Sequence, residues 1–533
     1  MEKIEYKKMK AAILSKKTSV LFIIGALLNT VFAIALALLT EQITNNLDDI
    51  NYTYVVLFLL IMLLAIINVG FTHYLIQSYA YKVACKLHLY LYNRLLSKKI
   101  EFFSTYDGGK LLNLLSSVAF SISNSLSTDR ITLIQSVITI TITFGFLFYY
   151  NYIIAIIILV LILVVILCSQ KVAIKFGDSA ATRDGLKGQV DAQFLSFVDN
   201  YAMIKNLDKE TYFNNQYQEL YKEKQLKPAV KTTMYESIYI LIQYFLTYIL
   251  PFISIVLGIL FKNINLLNAG ILFAVYQIVG LLQEPTRNIF GSIGEFKRAK
   301  SAITLLDIFY DESYNDKREK VSIDSVKNIS FKSNGYKVSE DNIILNDVSF
   351  EIEQNDFVSI KGDSGCGKST IFKFLTGMIQ SDNVSVDING YDPSMYNLNQ
   401  NIMVVTQNTY LLSDTVINNI VINDKFSDDE IDDIIRISCL NEFVNKYGKD
   451  KQIDVTATNI SGGEKARICL ARILIRKPKV LLLDEICSSL DRKTSDEIAK
   501  NIYDFAKKNS ITVISISHKD EFEKYSNKII ELH

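Results

Sequence analysis

The sequence predicts a multidomain chain: a six-helix, all-α transmembrane domain followed by an α/β domain built around a phosphate-binding loop. Three observations predict it. Charge-free apolar runs long enough to cross a bilayer recur through the first half. Past Lys300 the composition turns to mixed polar and apolar residues in alternating strand-like and helix-like runs. Between two of those runs lies a glycine-rich loop, Gly362 to Thr370. The 533 residues exceed one ordinary domain. Half are hydrophobic and 21% are charged, a mixture that a single soluble domain rarely carries. Lys+Arg and Asp+Glu are 56 each, so the formal net charge is zero. That balance excludes a chain globally built to coat nucleic acid. The wealth of Ile, Asn, Lys and Tyr points to an AT-rich bacterial source.

One crossing needs about 20 apolar residues. On that measure the runs predict helices near 18–40, 54–78, 131–149, 152–170, 237–260 and 266–284, with Tyr150-Asn151-Tyr152 as a turn inside one long run. The first run is too long for a signal peptide and reads as a retained helix. Lys7, Lys8, Lys10, Lys16 and Lys17 precede it, and the long connections after the second and fourth helices are rich in Lys and Arg. The loop from Glu41 to Asn51 has neither. Both termini and both long connections are therefore expected on the cytoplasmic side. Within those connections, Val83, Leu87, Leu91 and Leu95 recur at helical spacing, and Phe194, Phe197, Val198, Tyr201 and Ile204 stand among charged residues. Long helices projecting from the membrane account for this, and a small separate domain in each loop is the alternative. The expected division is 1–310 transmembrane, a hydrophilic linker at 311–320, and 321–533 for the α/β domain. Cys85, Cys168, Cys366, Cys439, Cys469 and Cys487 form no CxxC pair and read as scattered reduced thiols.

The loop Gly362-Asp363-Ser364-Gly365-Cys366-Gly367-Lys368-Ser369-Thr370 fits GxxxxGK[ST] and lies between strand-like Phe357–Ile360 and helix-like Ile371–Leu375. Glycines let the backbone wrap closely around phosphates. The helix N-terminus favours their charge. Lys368 is expected on the β- and γ-phosphates, and the Ser369 hydroxyl on Mg²⁺. Val480-Leu-Leu-Leu-Asp484-Glu485 reads as a buried parallel strand ending in two carboxylates, one for the Mg²⁺ shell and one to polarise water. Ser461-Gly462-Gly463-Glu464 opens a basic helix and offers a second helix N-terminus to phosphate. His518 ends the strand-like run Thr512–Ser517, either as a structural residue or against a γ-phosphate.

In this order and after six apolar helices, these elements resemble an ATP-binding cassette exporter of the half-transporter kind. Gln407 in Val404-Val-Thr-Gln-Asn-Thr and Ser488-Ser-Leu-Asp491 match further family motifs, and Phe102-Phe103 with Asp107-Gly-Gly-Lys-Leu-Leu112 and the stretch Val198–Glu210 resemble the family's two intracellular loops. The resemblance implies ATP and Mg²⁺, a general base at Glu485, a γ-phosphate contact from His518 and metal ligands Ser369, Gln407 and Asp484. It also implies that Ser461, Gly462 and Gly463 bind ATP held by a second subunit. A homodimer follows, with a heterodimer open. Short coupling helices in the intracellular loops would dock on the ATPase domains.

Three departures stand out. Glu464 takes the place of the usual glutamine and Ile460 that of leucine; Asp454–Thr458 is shorter than the family's loop before the signature; and Ser333 occupies the spot of the adenine-stacking aromatic, leaving Tyr336 as candidate. By the resemblance the chain sits in a bacterial plasma membrane and exports an amphipathic or apolar cargo, a small bacteriocin-like peptide or a drug, past walls that include Tyr235, Tyr239, Tyr244, Tyr248 and Tyr276. Helix packing is the favoured reading of those tyrosines. Only a short segment precedes the first helix, so no fused peptidase is expected. A lipid flippase of the same fold and a non-transporting regulatory membrane ATPase are the alternatives, and no nucleic-acid partner is expected.

Overall fold

A computed structural model of the chain describes residues 16–46, 51–260, 269–339, 342–406, 410–454, 457, 459–517 and 520–532. It divides into two compact units, Met1–Lys98 with Phe102–Asn315, and Lys99–Glu101 with Asp316–His533.

The first unit is helical. Its principal elements are α1 (Lys16–Asn45), α2 (Tyr52–Leu96), α3 (Gly108–Tyr150), α4 (Tyr152–Asp199), α5 (Tyr201–Asn206), α6 (Glu210–Tyr221), α7 (Lys227–Leu260), α8 (Ala269–Gly280) and α9 (Gln283–Leu305). Among the described residues, helices through Val20–Asn45 and over all of α2, α3 and α4 are long and apolar enough to cross a membrane. α2 and α4 run 45 and 48 residues without a break, well past the apolar spans at 54–78 and 152–170. The apolar span at 131–149 is the second half of α3, whose first half contains two π-turns at Leu114–Val118 and Ser125–Asp129. Asn151 makes the turn between α3 and α4: its side-chain oxygen accepts from the N–H groups of Ile153 and Ile154 at 2.9 and 3.1 Å, capping α4.

The sixth span differs from expectation. Residues 261–268 lie outside the described set, α8 ends at Gly280, and helix resumes at Gln283 and continues to Leu305. Pro285 fits this restart: it stands in the first turn of α9, where its missing N–H costs no intrahelical bond, whereas Pro251 lies inside unbroken α7. Glycines set the close crossings. A Cβ on Gly177 of α4 would lie 2.4 Å from the carbonyl oxygen of Gly294 on α9, and one on Gly109 of α3 would lie 2.5 Å from the Ala192 backbone on α4. Only a residue without a Cβ lets two helix backbones approach so closely. Arg298 on α9 reinforces the first pair, its Nε donating to Asp184 Oδ2 at 2.8 Å.

The second unit is layered α/β. Its elements are β1 (Asn328–Ser333), β2 (Val348–Glu353), β3 (Phe357–Gly362), α10 (Lys368–Leu375), β4 (Val384–Ile388), β5 (Ile402–Val405), α11 (Gly462–Leu474), β6 (Val480–Asp484), α12 (Arg492–Asn509), β7 (Thr512–Ile516) and β8 (Lys528–Leu532), joined by shorter pieces. β8-β3-β7-β6-β5 form a parallel sheet, and β2-β1-β4 an antiparallel one. Every residue of β6 and of β7 is buried, as a parallel strand covered on both faces requires. Phe331 faces Phe350 across β1 and β2 with rings stacked at 5.0 Å. The segment expected as a linker is tied down on both sides of Asn315. In the first unit Lys98 Nζ donates to the Asp311 carbonyl at 2.6 Å and to Asn315 Oδ1 at 2.7 Å. In the second, Arg318 grips Asp316 and the carbonyls of Thr376, Gly377 and Pro393.

Candidate active site

The parallel sheet brings the chemistry to one edge, because β3, β6 and β7 all end there. Gly362 closes β3 and is paired with Leu532, while Asp484 closes β6 opposite Ile516. The chain then leaves β3 through a loop whose turns demand glycine: φ is +151° at Gly362, +88° at Gly365 and +105° at Gly367. A Cβ on Gly362 would lie 2.7 Å from the Leu532 carbonyl oxygen, and one on Gly367 would lie 2.8 Å from the Leu345 side chain. Asp363, Ser364 and Gly365 remain exposed, so the loop presents backbone outward. α10 begins at Lys368 with Gly367 as its N-cap, a helix start directed at whatever the loop holds.

Lys368 is only 7% exposed, and its ammonium donates to the carbonyls of Gly362 and Asp363, both at 2.8 Å. These bonds hold a cation at the loop mouth, where phosphate oxygens can take it over. Ser369 Oγ donates to Asp484 Oδ1 at 3.0 Å. Burial raises the Asp484 carboxyl above its ordinary value, and the Ser369 hydroxyl opposes that rise. A hydroxyl and a desolvated carboxylate side by side are hard oxygen donors that suit Mg²⁺ shared with a nucleotide. Among the described residues no group of three or more His, Cys, Asp or Glu side chains is placed to hold a metal ion.

Glu485 follows in a left-handed conformation, φ +50°, with its N–H donating to the Ile516 carbonyl at 3.0 Å. A glutamate in that region costs of order 1–3 kcal/mol, and such strain concentrates at working sites. Ser461 caps α11: its Oγ accepts from the Glu464 N–H at 3.3 Å, and Glu464 Oε2 accepts from the Ser461 N–H at 2.7 Å and from its hydroxyl at 2.8 Å. Gly463 lies against the Ser488–Asp491 turn, since a Cβ there would be 2.8 Å from Leu490. Asp491 itself caps α12 through the Thr494 N–H at 3.0 Å.

Other expected residues fall elsewhere. Gln407 and His518 lie outside the described residues. Tyr336 turns its ring edge-on to Phe374 at 5.1 Å and is partly buried. Ser333 is buried and accepts from the Gly335 N–H at 3.2 Å. In the helical unit Tyr239 packs on Phe290 and donates to the Arg287 carbonyl at 2.8 Å, whereas Tyr244 and Tyr248 stack on each other and are exposed. Phe102 is fully buried among Phe103, Tyr106, Phe309 and Tyr314. Sequence reasoning missed Lys98, a buried lysine held below its ordinary pKa by desolvation. Nothing local marks it, because its partners lie 213 and 217 residues away.

A phosphate loop, an adjoining hydroxyl–carboxylate pair and a strained glutamate, carried by a chain with membrane-length helices, define a membrane-bound P-loop ATPase. Family models sharpen the class: residues 19–286 match the ABC transporter transmembrane region and residues 345–488 match the ABC transporter model. The chain belongs to the ABC transporter family, as an ATP-hydrolysing exporter half-transporter. It is similar to Rickettsia proteins described as export ATP-binding/permease proteins. The one from Rickettsia prowazekii is 28% identical over 89% of this chain and 84% of its own length. That from Rickettsia typhi is 37% identical over 48% of this chain, an alignment that takes in 45% of that relative. An ATP-dependent lipid A-core flippase of Yersinia pestis is 31% identical over 44% of this chain and 43% of its own length. Among solved structures, a bacterial Atm1-family ABC exporter with ATP bound has the same fold, with a TM-score of 0.85, 20% identity and coverage of 97% of this chain and 94% of that one.

Proposed function

We propose that two copies of this chain, in a bacterial plasma membrane with both termini and the ATPase units cytoplasmic, export an amphipathic or apolar cargo, a small peptide or lipophilic drug. Each ATP lies between the phosphate loop of one copy and the Ser461-Gly462-Gly463 turn of the other. Lys368 and the loop backbone bind the phosphates, and Ser369 and Asp484, with Gln407, hold Mg²⁺. When bound there, Mg²⁺ would neutralise charge on the phosphates. Glu485 takes the proton of the attacking water, and His518 steadies the γ-phosphate. The observation that carries this reading is the 3.0 Å bond from Ser369 to Asp484, which sets the metal donors beside the phosphate cradle and next to Glu485. The basic connections support the orientation, and the charge-free spans with exposed Tyr244, Tyr248 and Tyr276 support the class of cargo.

The test is purified chain in lipid with Mg-ATP. Glu485→Gln is expected to bind ATP normally and to turn it over about 10²- to 10⁴-fold more slowly, the span of general base catalysis. Near-normal turnover refutes the assigned role. A lipid cargo is the second reading, favoured by the similarity to a flippase. Inverted vesicles separate the two: uptake of labelled amphipathic peptide or drug supports the first, and translocation of labelled lipid alone supports the second. ATP turnover that no cargo stimulates, with no uptake, points to a regulatory ATPase.

A further inference from the structure

We propose that Glu464 is an internal competitor of ATP: its carboxylate occupies two of the donors that the signature turn would offer to a phosphate, and so raises the ATP level needed to close the dimer. This rests on the shared-nucleotide reading above. The turn has few polar hydrogens to give. Two of them, the Ser461 N–H and the Ser461 hydroxyl, already donate to Glu464 Oε2 at 2.7 and 2.8 Å. The Glu464 N–H donates to Ser461 Oγ at 3.3 Å. An incoming γ-phosphate meets a turn whose serine is engaged by an anion from its own helix. Two negative groups cannot share one small set of donors without repulsion, and the exposed turn screens that repulsion only in part. Closure must swing the carboxylate aside or bear the repulsion.

The same contact is a capping box, and a capping box has a purely structural use. The chain holds an internal control for that use. Ser427 and Glu430 form the same box at the start of the helix Asp428–Ile437, outside the nucleotide-binding motifs in sequence, and Glu430 there also pairs with Lys477 at 2.8 Å. What sets Glu464 apart is that its serine is the one the signature needs. Glutamine at 464 keeps an oxygen to accept from Ser461 and loses the charge. Glu464 is therefore a positioning residue, and it acts on half-saturation more than on the chemical step.

The experiment is steady-state ATP hydrolysis by the full chain in lipid, for wild type, Glu464→Gln and the control Glu430→Gln, with ATP retention measured in a Glu485→Gln background. Glu464→Gln is expected to lower the half-saturating ATP concentration roughly threefold to tenfold. kcat changes less, and Glu430→Gln leaves the half-saturation value unmoved. In the Glu485→Gln background, Glu464→Gln lets the two-copy complex retain nucleotide at correspondingly lower ATP. An unchanged or raised half-saturation value for Glu464→Gln overturns the proposal, as does an equal shift in Glu430→Gln. If Glu485→Gln binds ATP without ever forming a two-copy complex, the shared-nucleotide reading fails first, a result distinct from a closed complex indifferent to residue 464.

Discussion

In the ATPase unit, Val480 through Asp484 are buried without exception, whereas in the most apolar window of Tyr52–Leu96 only 6% of residues are buried. The two stretches use the same aliphatic side chains. In β6 they are covered by two hydrophobic clusters on either face of the sheet, which include Leu481 and Leu483 on one side and Val480 and Leu482 on the other. Along α2 the aliphatic residues face outward, and burial is confined to Thr72, Tyr79, Ala80, Val83, Leu87 and Leu91 toward its charged end. An apolar face of this length belongs against lipid or a second copy, because water would not tolerate it. Hydrophobicity alone thus says that a segment avoids water and leaves open what it meets instead.

The difference can be broken at three points, in order of expected effect. Leu482→Ala should cost about 2–5 kcal/mol, since it opens a cavity in a fully buried strand. Thermal melting of the ATPase unit within the full chain, followed by limited proteolysis, measures it. An unchanged melting point would mean that the sheet core relaxes freely. Asp484→Asn should abolish hydrolysis and yet raise the thermal stability of nucleotide-free, metal-free protein at neutral pH. The sign follows from burial. A carboxylate whose folded pKa lies above its unfolded value of 3.8 favours the protonated fold, so stability falls as pH rises from 3.8 through the raised value. The variant lacks that loss, and added Mg-ATP should reverse the order by stabilising the wild type more than the variant. Leu63→Ala, at a position 58% exposed on α2, should shift stability in lipid by less than about 0.5 kcal/mol. A shift as large as that at Leu482 would place residue 63 in a protein interface instead of against lipid.

Legibility in the sequence followed range. The phosphate loop was readable because strand, glycines and helix start are contiguous, and each demands a backbone state that few residues allow. The turn at Asn151 was readable for the same reason, with a capping residue flanked by tyrosines within one apolar run. The break after Gly280 was not legible, because the apolar residues run on past it without interruption to Leu282. The pairing of Ser461 with Glu464 follows the S-x-x-E capping pattern, which shows that a family departure can carry local chemistry of its own. The burial of Lys98, the grip of Arg318 and the turning of Tyr336 onto Phe374 had no such signal.

By itself the sequence determined where the chain leaves water, where it wraps a phosphate and which carboxylates end the central strand, because periodicity, glycine and charge act over a few neighbouring residues. Only the tertiary structure decided that Ser369 meets Asp484 across 115 residues, that Gly177 lies on Gly294, and that Lys98 is buried beneath two distant carbonyl groups. Those contacts depend on which elements lie side by side. The packing of helices and the order of strands in a sheet set that, and no local pattern encodes it.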